Sequence, residues 1–204
     1  MVKSVKFGRT VPYPSIGKYE VVDELGRGAM GVVYRALDPS IERYVAIKVI
    51  RTTLLSNGDE AANLRVRLVR EAKAAGRLSH PGIVTVYHLG EHDDFLYVVM
   101  EFIEGQSLEQ YVADGKPAEP RGAIPILHQI AEALDYAHDS GIFHRDVKPA
   151  NVLIGAGGRV KITDFGIAKI VSETTITQSG MTMGTPAYMS PEQICARISS
   201  RSLL

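Results

Sequence analysis

Hydrophobic and polar residues alternate over much of the first hundred positions, a pattern typical of β-strands. Segments rich in β-branched and aromatic residues predict five strands, at residues 19–25, 31–37, 44–50, 84–89 and 95–102. Residues 60–78 break this pattern, because Leu64, Leu68, Ala72 and Ala75 recur at helical spacing and arginines fall largely on the other side. The first half of the chain is therefore predicted to be a small sheet with one helix.

The second half shows a helical pattern first. Residues 124–138 predict a second helix, with one face formed by Ile126, Ile130, Leu134 and Ala137. Gly141 follows and suits the left-handed conformation that commonly ends a helix. Residues 105–122 contain Gly, Pro and Asp and are predicted to connect the two halves. Strand-like pieces that carry charged residues come after the second helix.

Composition narrows the class of protein. With 204 residues and 45% hydrophobic content, the chain can bury a core and is expected to be globular. Its 23 Lys and Arg balance 23 Asp and Glu, so the charge indicates neither nucleic acid nor an anionic membrane as a partner. No run approaches the ~18 apolar residues of a membrane span. The single cysteine, Cys195, excludes an internal disulfide framework, and a cytoplasmic location is expected.

A glycine-rich motif, Gly26-Arg27-Gly28-Ala29-Met30-Gly31, lies between the first two predicted strands. It is a weak signal alone, since dinucleotide-binding folds place similar glycines before a helix. Strand-like residues follow it here, which favours a hairpin over phosphates, and an ordinary glycine-rich turn is the alternative. Lys48 lies one strand after the hairpin, on an apolar segment where a buried ammonium needs an acidic partner. Glu71, in the apolar stripe of the first helix, is the obvious partner, and a surface salt bridge is the alternative.

The most specific pattern is the run His144-Arg145-Asp146-Val147-Lys148-Pro149-Ala150-Asn151, followed thirteen positions after Asn151 by Asp164-Phe165-Gly166. In this order after the glycine motif and Lys48, these residues resemble the bacterial-type (Hanks-type) serine/threonine protein kinases. The lysine two residues after Asp146, and Gly184-Thr185-Pro186 ahead of Tyr188, resemble serine/threonine rather than tyrosine kinases. The resemblance runs from about residue 17 to residue 193.

The resemblance implies an α+β, two-lobed protein kinase-like fold, with a five-stranded N-lobe that contains one helix and an incomplete helical C-lobe. It divides the chain into an N-terminal extension (1–16), an N-lobe (17–103), a partial C-lobe (104–193) and a tail outside the family pattern (194–204). The family's central C-lobe helix and the arginine that pairs with Glu192 are missing from this pattern. We therefore expect exposed apolar surface on the second helix and interpret the tail as the result of a frameshift or premature stop.

The resemblance also implies cofactors and residue roles. ATP and Mg²⁺ are expected, with Asp146 deprotonating a substrate hydroxyl, Lys148 neutralising charge on the transferred phosphoryl group, and Lys48, oriented by Glu71, holding phosphates. Asn151 and Asp164 are the expected metal ligands. The expected nucleotide contacts are Leu25, Gly26, Arg27, Gly28, Ala29, Met30, Gly31, Val32, Val33, Ala46, Lys48, Met100, Glu101, Ile103 and Leu153. Met100 would lie at the back of the adenine pocket, and backbone groups of Glu101 and Ile103 would pair with the adenine edge. Each aliphatic residue in this set can equally be an ordinary residue of the hydrophobic core.

Residues 174–182 are rich in hydroxyl groups and lie where the family places its activation loop. In relatives with an arginine at the position of Arg145, a phosphate on this loop pairs with it. Thr177, Ser179 and Thr182 are the expected autophosphorylation sites, and a solvated loop without regulatory meaning is the alternative. His144 is expected to be a buried structural residue.

Protein substrates with Ser or Thr, and self-association for autophosphorylation, are the expected partners. Two other classes remain open. The first is a catalytically impaired ATP-binding fragment or interaction module, which would retain the small lobe without holding Asp146 in place. The second is a small-molecule phosphotransferase of related fold, which the glycine-rich hairpin and the Gly184-Thr185-Pro186 pattern make less favoured.

Overall fold

Two antiparallel sheets and three α-helices form the described part of this computed structural model. The structure describes residues 15–28, 31–51, 58–92, 95–117, 119–165 and 186–191, without the side chains of residues 51, 58–64 and 186. Ala29, Met30, Thr177, Ser179, Thr182 and the tail beyond residue 191 therefore lie outside the described residues. Within the described helices, none is long and apolar enough to cross a bilayer.

The first sheet has six strands in the order β1-β2-β3-β4-β6-β5. They are β1 (Ser15–Ile16), β2 (Tyr19–Gly28), β3 (Gly31–Asp38), β4 (Arg43–Arg51), β5 (Val86–His92) and β6 (Phe95–Glu101). The five predicted strands are present with small shifts of their bounds. The count of five was wrong by one, because β1 is too short to show periodicity, yet Ile16 is fully buried against β2. Residues 15–16 thus pack as part of the sheet instead of as an extension.

The two faces of this sheet pack into different apolar clusters. On β4, Val45, Ile47 and Val49 belong to the cluster that also contains Ile16, whereas Ala46 belongs to the cluster on the other face. Helix α1 (Gly58–Ala75) covers that second face with apolar side chains including Leu68 and Ala72. The helix ends three residues before the predicted position, since Gly76 and the turn after it follow Ala75.

The second half contains strand β7 (Gly105–Ser107), helix α2 (Leu108–Ala113), helix α3 (Ile124–Asp139), and strands β8 (Val152–Gly155) and β9 (Val160–Ile162). Strands β7, β8 and β9 form the second sheet in that order. The helix predicted at 124–138 is confirmed, and Gly141 follows it with a φ of 71°, as expected for a left-handed cap. Apolar surface on α3 is present at Ile124 and Leu127, which are 62% and 60% exposed.

The segment between α1 and β5 joins the two sheets. The amide of Val84 donates to the carbonyl of Ile162 at 2.9 Å, and the amide of Ile162 donates to the carbonyl of Gly82 at 2.8 Å. Around this junction a third apolar cluster combines the end of α1, the inner face of α3 and strand β9. The segment between α1 and β5 is therefore hydrogen-bonded to strand β9 of the second sheet, although α1 and β5 pack with the first sheet.

Candidate active site

Asp146 lies in the loop between α3 and β8 and is held by two neighbours. Its Oδ2 is 2.8 Å from Lys148 Nζ and accepts a hydrogen bond from Asn151 Nδ2 at 3.0 Å. Asn151 Nδ2 also donates to the main-chain oxygen of Asp146 at 2.8 Å. In the described part of the chain, Oδ1 of Asp146 accepts no hydrogen bond, so it is the oxygen available to an incoming hydroxyl.

The structure confirms that His144 is buried, with 1% of its surface exposed. The amide of Asp146 donates to Nδ1 of this ring at 3.2 Å, so Nδ1 is an acceptor. Nε2 therefore carries the proton and donates to the carbonyl oxygen of Thr163 at 2.8 Å. Burial is the main cause that lowers the pKa of His144, which favours this neutral form. The imidazole thus joins the loop of Asp146 to the segment that ends β9.

Thr163 connects the two expected metal ligands. Its amide donates to the main-chain oxygen of Asn151 at 3.0 Å, and Asp164 follows it directly. Asp164 has a φ of 66° and Arg145 a φ of 65°, conformations that cost energy for residues other than glycine and that cluster at functional sites. A carboxamide binds cations through its oxygen, and because Nδ2 of Asn151 donates to Asp146, the orientation of the amide is fixed and Oδ1 is the atom that could hold a cation.

The acidic partner of Lys48 differs from the predicted one. Lys48 is 6% exposed, and its Nζ lies 2.8 Å from Oδ1 of Asp164. Glu71 instead lies 3.7 Å from Nη1 of Arg145. The expectation of a direct pair between Lys48 and Glu71 is therefore wrong for this structure, because Asp164 already neutralises the ammonium and α1 places Glu71 beside Arg145. The expectation that the buried lysine needs an acidic partner holds.

The glycine-rich motif forms a hairpin between β2 and β3, as predicted, with Gly28 opposite Gly31. Gly31 has a φ of 148°, and a Cβ there would lie 1.8 Å from the carbonyl oxygen of Val49, so only glycine fits. Among the described residues, no atom beyond the immediate chain neighbours would lie within 4 Å of a Cβ at Gly26 or Gly28. These two glycines leave open space beside the backbone, which fits a phosphate-bearing ligand approaching the main chain.

The expected apolar lining assembles in part. Ala46 and Met100 are buried in one cluster, and the partly buried side chains packed against it include Val33, Ile103 and Leu153. Val32 was one of the expected nucleotide contacts, but strand alternation places its side chain in the cluster on the opposite face of the sheet. Leu25 lies outside this cluster and is 43% exposed.

Two further residues contribute to the site and were missed from the sequence. Thr163 acts through its main-chain groups, which leave no trace in the residue pattern. Lys161 is 2.7 Å from Oε2 of Glu101, the residue that ends β6. The sequence did indicate that Lys161 is special, because this charged residue lies between two apolar residues, Val160 and Ile162, whose side chains are buried on a short strand.

The main-chain groups of Glu101 set how adenine could be recognised. The amide of Glu101 donates to the carbonyl oxygen of Thr85 at 2.9 Å. The amide is therefore already used, and the carbonyl oxygen of Glu101 is the group it could offer to adenine. Among the described residues, no group of three or more His, Cys, Asp or Glu side chains could hold a metal ion. A cation at Asn151 and Asp164 would therefore also need oxygen atoms from the phosphates of a nucleotide. Mg²⁺ is usually bound in this way in nucleotide sites.

A strand-rich lobe with a glycine hairpin, joined to a lobe that carries Asp146 and Asp164, defines the protein kinase-like class of fold. The family model described as protein kinase domain matches residues 19–202, and the chain belongs to this family. The match extends beyond residue 193, where the sequence interpretation ended the resemblance.

Curated relatives agree with this family. Serine/threonine-protein kinase PrkC of Bacillus subtilis is 43% identical over 177 residues, which cover 87% of this chain and 27% of PrkC. Serine/threonine-protein kinase PknB of Mycobacterium leprae is 42% identical over 189 residues, 90% of this chain and 30% of PknB. The chain thus spans less than a third of the length of these relatives.

Among solved structures, the Mycobacterium tuberculosis PknI kinase domain is 39% identical with a TM-score of 0.64. The similarity covers 75% of this chain and 61% of that one. The PpkA-294 apo form is 25% identical with a TM-score of 0.77, and the similarity covers 91% of this chain and 71% of that one. Both similarities support the two-lobed kinase fold.

Proposed function

We propose that this chain is the catalytic part of a serine/threonine protein kinase, which transfers the γ-phosphoryl group of ATP to Ser or Thr hydroxyls of proteins. The observation that carries the proposal is the arrangement around Asp146, whose Oδ2 is held by Lys148 and Asn151 while Oδ1 accepts no hydrogen bond within the described residues. The names of the relatives, PrkC and PknB, support the same activity.

Each catalytic group has a defined task in this proposal. Asp146 orients the substrate hydroxyl and accepts its proton on Oδ1. Lys148, paired with Oδ2 of the same carboxylate, balances the negative charge that is transferred. Lys48 contacts phosphate oxygens, and Asp164, which lies 2.8 Å from its ammonium, holds that ammonium in place.

The residues present fit ATP with Mg²⁺. Magnesium-bound ATP supplies the phosphoryl group and an ion that balances phosphate charge. Asn151 and Asp164 would hold the ion, Gly26 and Gly28 leave room beside the phosphates, and Val33, Ala46, Met100, Ile103 and Leu153 would line the adenine pocket. Arg27 and Gly31 would shape the hairpin, since Arg27 pairs with Glu24 at 2.7 Å.

The remaining parts of the proposal concern partners and regulation. Protein substrates, a cytoplasmic location and transient self-association fit a kinase that modifies its own activation loop. Thr177, Ser179 and Thr182 are the proposed phosphorylation sites, on the basis of the hydroxyl-rich sequence between Asp164 and residue 190. Arg145 beside the catalytic aspartate gives a loop phosphate a cationic partner.

Autophosphorylation of the purified chain with labelled ATP and Mg²⁺ tests this function. We compare the wild type with Asp146→Asn and with the matched control Asp139→Asn, which changes an exposed aspartate at the end of α3. Circular dichroism first establishes that all three are folded. The wild type and the control are expected to incorporate label, and Asp146→Asn to lose at least about a hundredfold of the rate.

A folded wild-type chain that binds ATP without incorporating label, and that phosphorylates no added protein, would contradict the proposal. That result would favour the alternative of an ATP-binding fragment or interaction module. Mapping the labelled positions tests Thr177, Ser179 and Thr182 individually.

A further inference from the structure

Lys161 links the second lobe to the residue that ends β6. Its Nζ donates to Oε2 of Glu101 at 2.7 Å and to the carbonyl oxygen of Ile83 at 3.3 Å. The same Oε2 of Glu101 accepts a hydrogen bond from the amide of Thr85 at 3.2 Å. One carboxylate and one ammonium therefore bring together β9, the end of β6 and the segment before β5.

The main chain reinforces this junction. Besides the contact of its carboxylate, Glu101 donates its amide to the carbonyl oxygen of Thr85 at 2.9 Å. The segment that contains Ile83 is itself hydrogen-bonded to β9, through a parallel bridge between Ile83 and Ile162. Glu101 is thus fixed from both lobes at the point where the chain passes from β6 towards the second sheet, and we call residues 101–104 the hinge.

The ion pair is sheltered from solvent. The side chains of Lys161 and Glu101 are 16% and 25% exposed. Charge-assisted hydrogen bonds at such short distances are stronger than neutral ones. Removing the ammonium would leave a largely buried carboxylate with only one amide donor, which is costly.

We propose that Lys161 is a positioning residue of the nucleotide site, which fixes the hinge through Glu101 so that the carbonyl oxygen of Glu101 faces adenine in a defined place. Lys161 itself contacts no nucleotide in this proposal. The inference rests on the proposed function, because it assigns the hinge carbonyl to ATP recognition.

The first test is the affinity for a non-hydrolysable ATP analogue with Mg²⁺, measured by isothermal titration calorimetry. Lys161→Met removes the ammonium and keeps the length of the side chain, and it is expected to raise the dissociation constant about fivefold. Lys161→Arg keeps the charge and the donors and is expected to restore most of the affinity. In the kinase assay, Lys161→Met is expected to raise KM for ATP more than it lowers kcat.

Lys18→Met is the matched control. Lys18 forms another lysine-carboxylate pair, at 3.2 Å from Asp38, which is buried at the end of β3 and makes no hydrogen bond or ion pair with residues 101–104 of the described structure. This variant is expected to lower the melting temperature without changing the affinity for the analogue. If Lys161→Met behaves like Lys18→Met, losing stability at unchanged affinity, the positioning role is overturned.

A double-mutant cycle separates action through Glu101 from independent effects. Glu101→Gln keeps the main-chain carbonyl and an acceptor for the amide of Thr85, but loses the charge that Lys161 pairs with. Lys161→Met in the background of Glu101→Gln is expected to change the affinity less than it does in the wild type. Additive effects of the two changes would contradict the proposal.

Hydrogen exchange distinguishes failure of this inference from failure of the proposed function. Amides of the hinge and of residues 83–85 are expected to exchange faster in Lys161→Met than in Lys18→Met, without any nucleotide present. A wild-type chain that does not bind the analogue would overturn the proposed function and the nucleotide role of Lys161 with it. Unchanged exchange in Lys161→Met would overturn the fixing of the hinge alone.

Discussion

Lys48 in the first sheet and Asp146 in the loop after α3 are held by different kinds of interaction. Lys48 is carried on β4, a strand that pairs with β3 and β6 along its length and is buried on both faces. Asp146 lies in irregular backbone next to Arg145, whose φ is 65°, and depends on polar contacts with a few side chains. Many residues of the paired strands therefore share in positioning Lys48, whereas Asp146 is positioned mainly by His144, Lys148 and Asn151.

This difference predicts which substitutions destabilise each region. A substitution in the sheet should matter when it creates a clash that the packed strands cannot absorb. In the loop it should matter when it leaves a buried donor or acceptor without a partner.

The largest expected effect is on the sheet, from Gly31→Ala. The new Cβ would lie 1.8 Å from the carbonyl oxygen of Val49, at a φ of 148°. We expect the free energy of unfolding to fall by about 3 kcal/mol or more, because main-chain atoms must move. Urea denaturation measures the loss. Gly26→Ala is the control, because its Cβ meets no atom within 4 Å among the described residues, and it should change stability by less than about 0.5 kcal/mol. Equal losses in the two variants would show that the clash is absent.

The second largest loss of stability is expected for His144→Ala, in the loop that carries Asp146. The change leaves the amide of Asp146 and the carbonyl oxygen of Thr163 without the imidazole, in a buried environment. We expect a loss of about 2–3 kcal/mol in the free energy of unfolding. His128→Ala is the control, because His128 is exposed on α3, and a similar loss there would refute the specific role of His144.

A smaller effect is expected from pH. The pKa of His144 is lowered in the folded state, mainly by burial, so the unfolded chain binds the proton more tightly. The stabilisation from the neutral ring is fully present above the unfolded pKa of about 6.5 and is lost as pH falls towards the folded pKa. The slope is at most about 1.4 kcal/mol per pH unit for one group. Denaturation of the wild type and of His144→Gln at pH 7.5 and 5.5 should show a steeper loss in the wild type, and equal slopes would contradict the assignment.

The smallest effect is expected for Thr163→Val. Among the described residues its Oγ1 makes one weak contact, 3.7 Å from the sulfur of Met100, whereas its main-chain groups join Asn151 and His144. Valine keeps the shape and the main chain, so we expect a loss of about 0.5 kcal/mol in the free energy of unfolding. A loss as large as that of His144→Ala would mean that the hydroxyl, and not the main chain, holds the junction.

The sequence predicted the elements whose residues show a repeating pattern. Strands β2 to β6 and helices α1 and α3 follow from alternation and from helical spacing. Strand β1 has only two residues, and the predicted connection at residues 105–122 contains β7 and α2, which are too short for periodicity to show. The end of α1 was placed three residues late because Leu78 is buried although it lies beyond the helix.

The candidate site was predictable as a set of residues but not as a set of contacts. Several sequence patterns identified Lys48, Glu71, Arg145 and Asp164. The pairing among them depends on distances across the fold, which spacing along the chain does not contain. The roles of Thr163 are carried by peptide groups, which every residue possesses. Val32 was one of the nucleotide contacts implied by the resemblance, yet the pleat of the strand turns its side chain to the opposite face of the sheet.

The pairing of charges around the site has a consequence for what it admits. Lys48 with Asp164, Lys148 with Asp146 and Arg145 with Glu71 form three couples of opposite sign, so these side chains cancel in total. A bare polyanion that draws Lys48 away would expose the carboxylate of Asp164 to like charge, whereas a polyanion that brings its own divalent cation satisfies both. Under the proposed function, the site is therefore expected to favour nucleotides that carry a divalent cation, and free ATP is expected to compete poorly with its magnesium complex.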